Sequence, residues 1–264
     1  MSGLICGHNH NQQEIQNMNK NGVILEETKD IVVIAVGLQS KSTNVKTGGM
    51  IQVYILHRHD SPLGTIKKGM DGIICGDCQH RGSLVNGKRV NRRCYVQVGK
   101  AANGIWKCYK RGGYRKIDSS EYDWLFAGRM IRWGAYGDPA FISREVVEGV
   151  SAHAKGRTGY THQWQAVVSE WGRSYFMASC DSPQEYALAA SMGWRSFRVS
   201  PKGDNTKLRG EISCPASAEA GKRTTCADCK LCDGAVNGDK RKNIVIQDHS
   251  VIANKSPLIN ITLA

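Results

Sequence analysis

The sequence predicts an α/β protein, built as a partial (βα) barrel or a small parallel sheet with cysteine-rich, metal-binding insertions. Three observations carry that expectation. Short β-branched apolar runs mark buried strands, helix start and stop signals alternate with strands from Met130 onward, and the ten cysteines gather chiefly into two groups.

Residues 1–28 are polar, rich in Asn and Gln, and read as a loose arm. The run 31–36 is β-branched and apolar, which suits a buried strand, and 50–57 alternates as a second. A Lys/Ser/Thr/Gly loop joins them, and 62–72 reads as a turn leading to the first cysteines. Residues 95–98 suggest a short strand. Asp118, Ser119 and Ser120 offer cap oxygens for a helix to Phe126. A rhythm follows: a strand over 130–133, a Gly137-Asp138-Pro139 turn, and a helix from Arg144 capped by Ser143. Next come a short segment at 158–161, an apolar-periodic stretch over 164–171 and a strand over 175–179. Pro183 opens a helix to Met192 with Gly193 as its stop, and strands follow over 195–199 and 211–213. Alternation at this spacing argues for βαβ units. It spans roughly 85 residues, enough for part of a barrel and too little for eight units. The expected division is an arm over 1–28, strands with the first cysteines over 29–117, a βα core over 118–213, and a four-cysteine module with a final strand over 214–264.

Hydrophobic content of 41% is ordinary for a globular chain, but the formal net charge is +13. Between Arg81 and Lys116 stand eleven Lys or Arg residues and no acid, interleaved with Tyr95, Trp106, Tyr109 and Tyr114. Phosphates attract such cations and bases stack on such rings. Arg92, Arg93, Lys107, Lys110, Arg111 and Arg115 are the candidate nucleic-acid or nucleotide contacts; a solvated basic face is the plainer reading. Residues 1–13 hold no apolar run, and no stretch has the length of a membrane span. A cytoplasmic protein is expected, in which clustered thiols bind metal rather than pair as disulfides.

Cys214, Cys226, Cys229 and Cys232 give C-x11-C-x2-C-x2-C, a spacing that lets tight turns aim sulfurs at one centre. The compact run resembles ferredoxin ligands, so an iron–sulfur cluster, [4Fe–4S] among them, competes with zinc. Cys75, Cys78 and Cys94 give C-x2-C-x15-C. Cys108 or His80 is the candidate fourth ligand; without one the site keeps an open position, as catalytic metal sites do. Cys6 lies near His8 and His10, and Cys180 reads as a core cysteine.

Gly134 and Gly137 permit close approach of a ligand to the backbone, and Asp138 can accept a hydrogen bond from an amine or ribose hydroxyl. His162 is a candidate acid/base, and Asp181 follows the next strand, with Arg195 and Arg198 on the one after. Polar groups after successive parallel strands would face one side of a sheet, where such folds build sites. The sequence shows no P-loop, serine nucleophile elbow or H-E-x-x-H motif.

The segments IRWGAYGDP, TGYTHQW, GWRSFRV and CPASAEAGKRTTCADCKLCDG resemble those of uncharacterised cysteine-rich bacteriophage proteins, from Ser42 onward. That resemblance implies a phage origin and residence in a host cytosol. A looser resemblance is to radical S-adenosylmethionine enzymes. It implies a partial barrel, with Cys75, Cys78 and Cys94 as ligands of a reactive [4Fe–4S] cluster. It further implies Gly137, Asp138 and Pro139 in place of the Gly-Glu-Pro motif that contacts the cofactor amine, and an auxiliary cluster on the four later cysteines. The sequence departs from the usual C-x3-C-x2-C spacing. Two functions follow as expectations: an iron–sulfur enzyme acting on a nucleic acid or nucleotide, and a non-catalytic zinc protein that binds nucleic acid.

Overall fold

The computed structural model describes residues 21–40, 44–165 and 170–249. Cys6, His8, His10 and most of the expected arm lie outside the described residues, as does part of the stretch 164–171.

Two sheets and a hairpin hold the strands. β1 (Gly22–Glu27), β2 (Ile31–Val36) and β3 (Ile51–His57) form an antiparallel meander. Every residue of β3 and all but one of β2 is buried, so both faces of each strand are covered; β3, expected to alternate, buries even Gln52 and His57. After β3 come two short helices, α1 (Pro62–Lys68) and α2 (Gly72–Cys75). Ser61 caps α1 by accepting the Gly64 N–H, Pro62 sits where its missing N–H costs nothing, and Gly69 closes the helix at φ +75°. An exposed hairpin, β4 (Ser83–Val85) and β5 (Lys88–Val90), turns on Asn86 and Gly87, both at positive φ. Helix α3 (Ala101–Lys110) and β6 (Arg115–Lys116) follow, and β6 pairs in parallel with β1.

Asp118 caps a short 3-10 turn that runs into α4 (Tyr122–Phe126), against which α5 (Arg144–His153) packs. β7 (Met130–Tyr136) joins β3 in parallel, and β8 (Gly156–Thr158) joins β7. One residue later β9 (Tyr160–Thr161) starts the second sheet. The switch residue, Gly159, has no room for a side chain: a Cβ there would stand 2.7 Å from the Phe176 ring and 3.1 Å from Trp133. β10 (Met177–Cys180), α6 (Pro183–Ser191), β11 (Ser196–Ser200), β12 (Glu211–Ser213), α7 (Cys226–Cys229) and β13 (Asn243–Gln247) follow among the described residues. The second sheet runs β12-β13-β11-β10-β9 and all its pairs are parallel. The α/β class and the mostly parallel sheet are therefore as expected.

Several expectations need correcting. Residues 22–27, assigned to the arm, form β1 with a buried apolar stretch. The turn over 62–72 is largely helix α1, and residues 95–98 form no strand. Nor is the last segment a separate module: β13 inserts between β11 and β12 in the core of the second sheet.

Candidate functional site

The parallel strands deliver their chemistry at their carboxyl ends, where sheets of this kind bind ligands. β3 leads through α1 and α2 to Cys75 and Cys78. β7 ends at Gly137-Asp138-Pro139, β9 at His162, β10 at Asp181 and β13 at Asp248. A cavity of about 410 Å³ lies between them. Alternate residues of β7, Arg132, Gly134 and Tyr136, face it, as do Phe197 and Val199 of β11. Cys75, Cys78 and Cys94 line one part of its wall and Cys226 another.

The loop carrying Cys75 is fixed from several sides. Asp71, 2% exposed, is bonded by Arg81 and Arg89, and Arg81 also donates to the Gly76 carbonyl. The Asp138 N–H donates to the Ile74 carbonyl at 2.7 Å, which ties the end of β7 to α2. Gln163 reaches back to the Cys75 carbonyl. His80 receives the Arg93 and Cys94 N–H groups at its carbonyl, bringing the distant third cysteine beside the first two. Burial pushes the Cys75 thiol well above its ordinary value, and its neighbours Cys78 and Cys94 add to that. Burial likewise raises Cys94.

Asp138 is a latch between strand ends. Its Oδ1 accepts the Ala140 N–H at 3.0 Å and its Oδ2 accepts the His162 N–H at 2.8 Å. Burial raises its pKa against the pull of those donors and of the Thr161 hydroxyl. His162 Nε2 lies 3.3 Å from Asp181 Oδ2 and 4.0 Å from Cys78 Sγ. His80 Nε2 lies 2.8 Å from Asp181 Oδ1. Burial opposes charge on His162, but Asp181 and Cys78 outweigh it and hold the imidazole well above its usual pKa. Burial disfavours the Asp181 carboxylate too, yet bonds from His162 and His80 hold it far below the usual range.

The four later cysteines are anchored by backbone hydrogen bonds. The Cys214 N–H bonds the Val245 carbonyl, the Cys226 N–H bonds that of Lys46, and the Cys232 carbonyl accepts from Gly159. Thr225 caps α7 by accepting the Asp228 N–H. Burial pushes the Cys232 thiol up to about 12, with Cys214, Cys226 and Cys229 each adding to the rise and Tyr160 opposing it. Burial also raises Cys226, while the Arg132 guanidinium and Lys46 pull it down.

Some expected members stand elsewhere. Cys108, on α3, packs against the core and close to Gly113, and does not line the cavity. Cys180 is fully buried, as a core cysteine should be. Arg195 is structural, bonded to the carbonyls of Leu231, Gly234 and Lys242, and Arg198 makes a buried two-point pair with Glu211. The basic stretch is not one open face. Arg92 donates to the Cys94 and Val96 carbonyls, Arg93 approaches Asp248 at 3.9 Å, and Arg115 pairs with Glu121. Lys107, Lys110 and Arg111 are exposed on and just after α3.

One group went unread in the sequence. Arg132 lines the cavity, donates to the Tyr95 hydroxyl at 2.9 Å, and has no carboxylate partner among the described residues. Its place in the predicted strand over 130–133, next to the Gly-rich turn, was the available signal. Comparison with protein-family models, with curated proteins and with solved structures gives no match.

Proposed function

We propose that the chain is an iron–sulfur enzyme of the radical S-adenosylmethionine type, acting on a nucleotide or nucleic acid. One observation carries the reading: Cys75, Cys78 and Cys94 share a cavity with the Gly137-Asp138 turn, and these groups follow the adjacent parallel strands β3 and β7. A partial barrel would be built from the two parallel runs β3-β7-β8 and β9-β10-β11-β13-β12, which the chain joins through Gly159.

By ligand type the cysteine groups suit iron–sulfur clusters and zinc alike, and the compact C-x2-C-x2-C run favours a cluster. A tetrahedral zinc with bonds of about 2.3 Å brings its sulfurs within about 3.8 Å of one another. Among the described residues, no three cysteine sulfurs lie within 4.8 Å of one another, although they are close enough to perturb each other's ionisation. Cys75, Cys78 and Cys94 would hold the reactive cluster, and Cys214, Cys226, Cys229 and Cys232 an auxiliary one. When bound, the first supplies the electron that breaks a sulfonium carbon–sulfur bond.

The chain's own residues do the rest. Gly134 and Gly137, both at positive φ, bring bare backbone to the cavity wall. Asp138 positions His162. Arg132, with no carboxylate partner among the described residues, offers its guanidinium to a carboxylate or phosphate, and Tyr160 and Phe197 line the same cavity. A second reading, a zinc-containing nucleic-acid binder, draws on the exposed Lys107, Lys110 and Arg111. It requires binding that weakens steeply with salt and no turnover.

The test is reductive cleavage of S-adenosylmethionine by anaerobically prepared protein. Formation of 5′-deoxyadenosine that is lost in Cys75→Ala supports the proposal. Protein with a full iron and sulfide complement that yields none contradicts it.

A further inference from the structure

Three side chains outside the cysteine groups bring ligand atoms to one point from three segments. His80 lies in the 3-10 turn Gln79–Arg81, His162 follows β9, and Asp181 follows β10. Their ligand atoms all lie within 4.8 Å of one another, a property no other such group has among the described residues. Both histidines present Nε2, each to a different oxygen of the one carboxylate, at 2.8 and 3.3 Å. The rings meet edge to face, with centroids 5.6 Å apart, so neither blocks the other. We infer that His80, His162 and Asp181 hold a single divalent first-row cation, with open coordination positions facing the cavity.

The 3.3 Å spacing is one such an ion imposes, and the 2.8 Å spacing opens by a few tenths of an ångström to admit it. With metal–ligand bonds of about 2.1 Å, neighbouring ligand atoms stand about 3.0–3.4 Å apart and opposed ones about 4.2 Å. Two imidazoles and one carboxylate form the donor set of open, catalytic sites. Burial is partial, with side-chain exposures of 14% for His80, 21% for His162 and 7% for Asp181. His80 and His162 line the cavity while Asp181 backs them, so the uncommitted positions point to where a substrate enters.

The backbone of each ligand residue is anchored. The His80 carbonyl accepts from Arg93 and Cys94, and the His162 N–H donates to Asp138. The Asp181 N–H donates to Glu185, whose other oxygen accepts from Gln79. A cation here would bring a polarised water or substrate oxygen to the cavity. None of this requires a cluster on the cysteines.

Manganese(II) is the suitable probe, because it favours nitrogen and oxygen ligands and leaves thiolates to softer metals. Full-length protein is titrated with Mn2+ while the six-line paramagnetic resonance signal of the free ion is followed. The expected result is one ion bound per chain, with affinity falling at least about tenfold in Asp181→Asn and in His162→Gln. Spin-echo modulation of the wild-type complex should show nitrogen coupling from imidazole, a readout that needs no variant to fold. No Mn2+ bound, bound Mn2+ without nitrogen coupling, or affinity unchanged in both folded variants would overturn the inference. Iron and acid-labile sulfide, measured on the same samples, report the cysteine groups separately, so the two proposals fail independently.

Discussion

Gly137 to Ala is the substitution whose cost the structure fixes best. Gly137 has φ +80°, and a Cβ there would stand 2.7 Å from both the Cβ and the carbonyl oxygen of Ile55, and 3.2 Å from the Ile74 carbonyl. The left-handed backbone alone costs an L residue about 1–2 kcal/mol. Crowding against buried β3 and α2, where little can yield, adds about 1–3 kcal/mol, so the total is about 2–5 kcal/mol. Gly112 provides the control: its φ is +69°, but nothing lies within 4 Å of its would-be Cβ. Gly112→Ala should therefore show only the backbone cost, about 1–2 kcal/mol. Urea unfolding of both variants, compared at equal m-values, isolates the crowding. Gly137→Ala should also loosen the Cys75 loop, because the Asp138 N–H to Ile74 bond sits one residue on. If Gly137→Ala costs no more than Gly112→Ala, the close docking of this turn on α2 is wrong.

Three more outcomes follow from named contacts. Arg198 and Glu211 form a buried two-point pair, 4% and 0% exposed, so Arg198→Met alone should cost about 3–5 kcal/mol in urea unfolding, and Arg198→Met with Glu211→Leu much less. Arg241 holds the Asp239 carboxyl well below its usual range, so the stability this gives is present above the unfolded pKa of about 3.9 and is lost as pH falls further. Thermal midpoints between about pH 6 and pH 3 should therefore drop less in Asp239→Asn than in wild type; equal slopes would remove Asp239 from the account. Cys75→Ala and Cys229→Ala should each lower iron by roughly half and leave the other group loaded, and a single substitution that empties both would show one shared centre.

Much of the frame was legible because burial on both faces leaves an unbroken apolar run. β2 reads that way, β3 reads as an alternating strand, and Pro183 and Gly193 mark α6 and its stop. Other signals were present but overlooked. Ser61-Pro62 and Gly69 bracket α1. Ala102, Ile105, Trp106 and Tyr109 stand at the i, i+3, i+4, i+7 positions of α3, hidden within a segment weighed for charge rather than period. Asn86-Gly87 is a hairpin signal between two short strands. β1 escaped because its three apolar residues sit between a polar arm and two glutamates.

The site divides along the same line. Spacing alone grouped Cys75 with Cys78, and the final run of cysteines, because those ligands are local. The convergence of Asp138 and His162 followed from recognising consecutive strand ends. His80 meets Asp181 across 101 residues of chain, and no local pattern encodes that meeting. The basic stretch misled in a similar way. Arg81 and Arg89 carry charge inward to Asp71, a partner that only the fold brings within reach.

The most direct measurement is the iron and acid-labile sulfide content, with the visible absorption spectrum, of the full chain purified without oxygen. The expected result is a brown protein with iron and sulfide in equal amounts, spread over two cysteine groups. A colourless protein carrying zinc and no sulfide would contradict it.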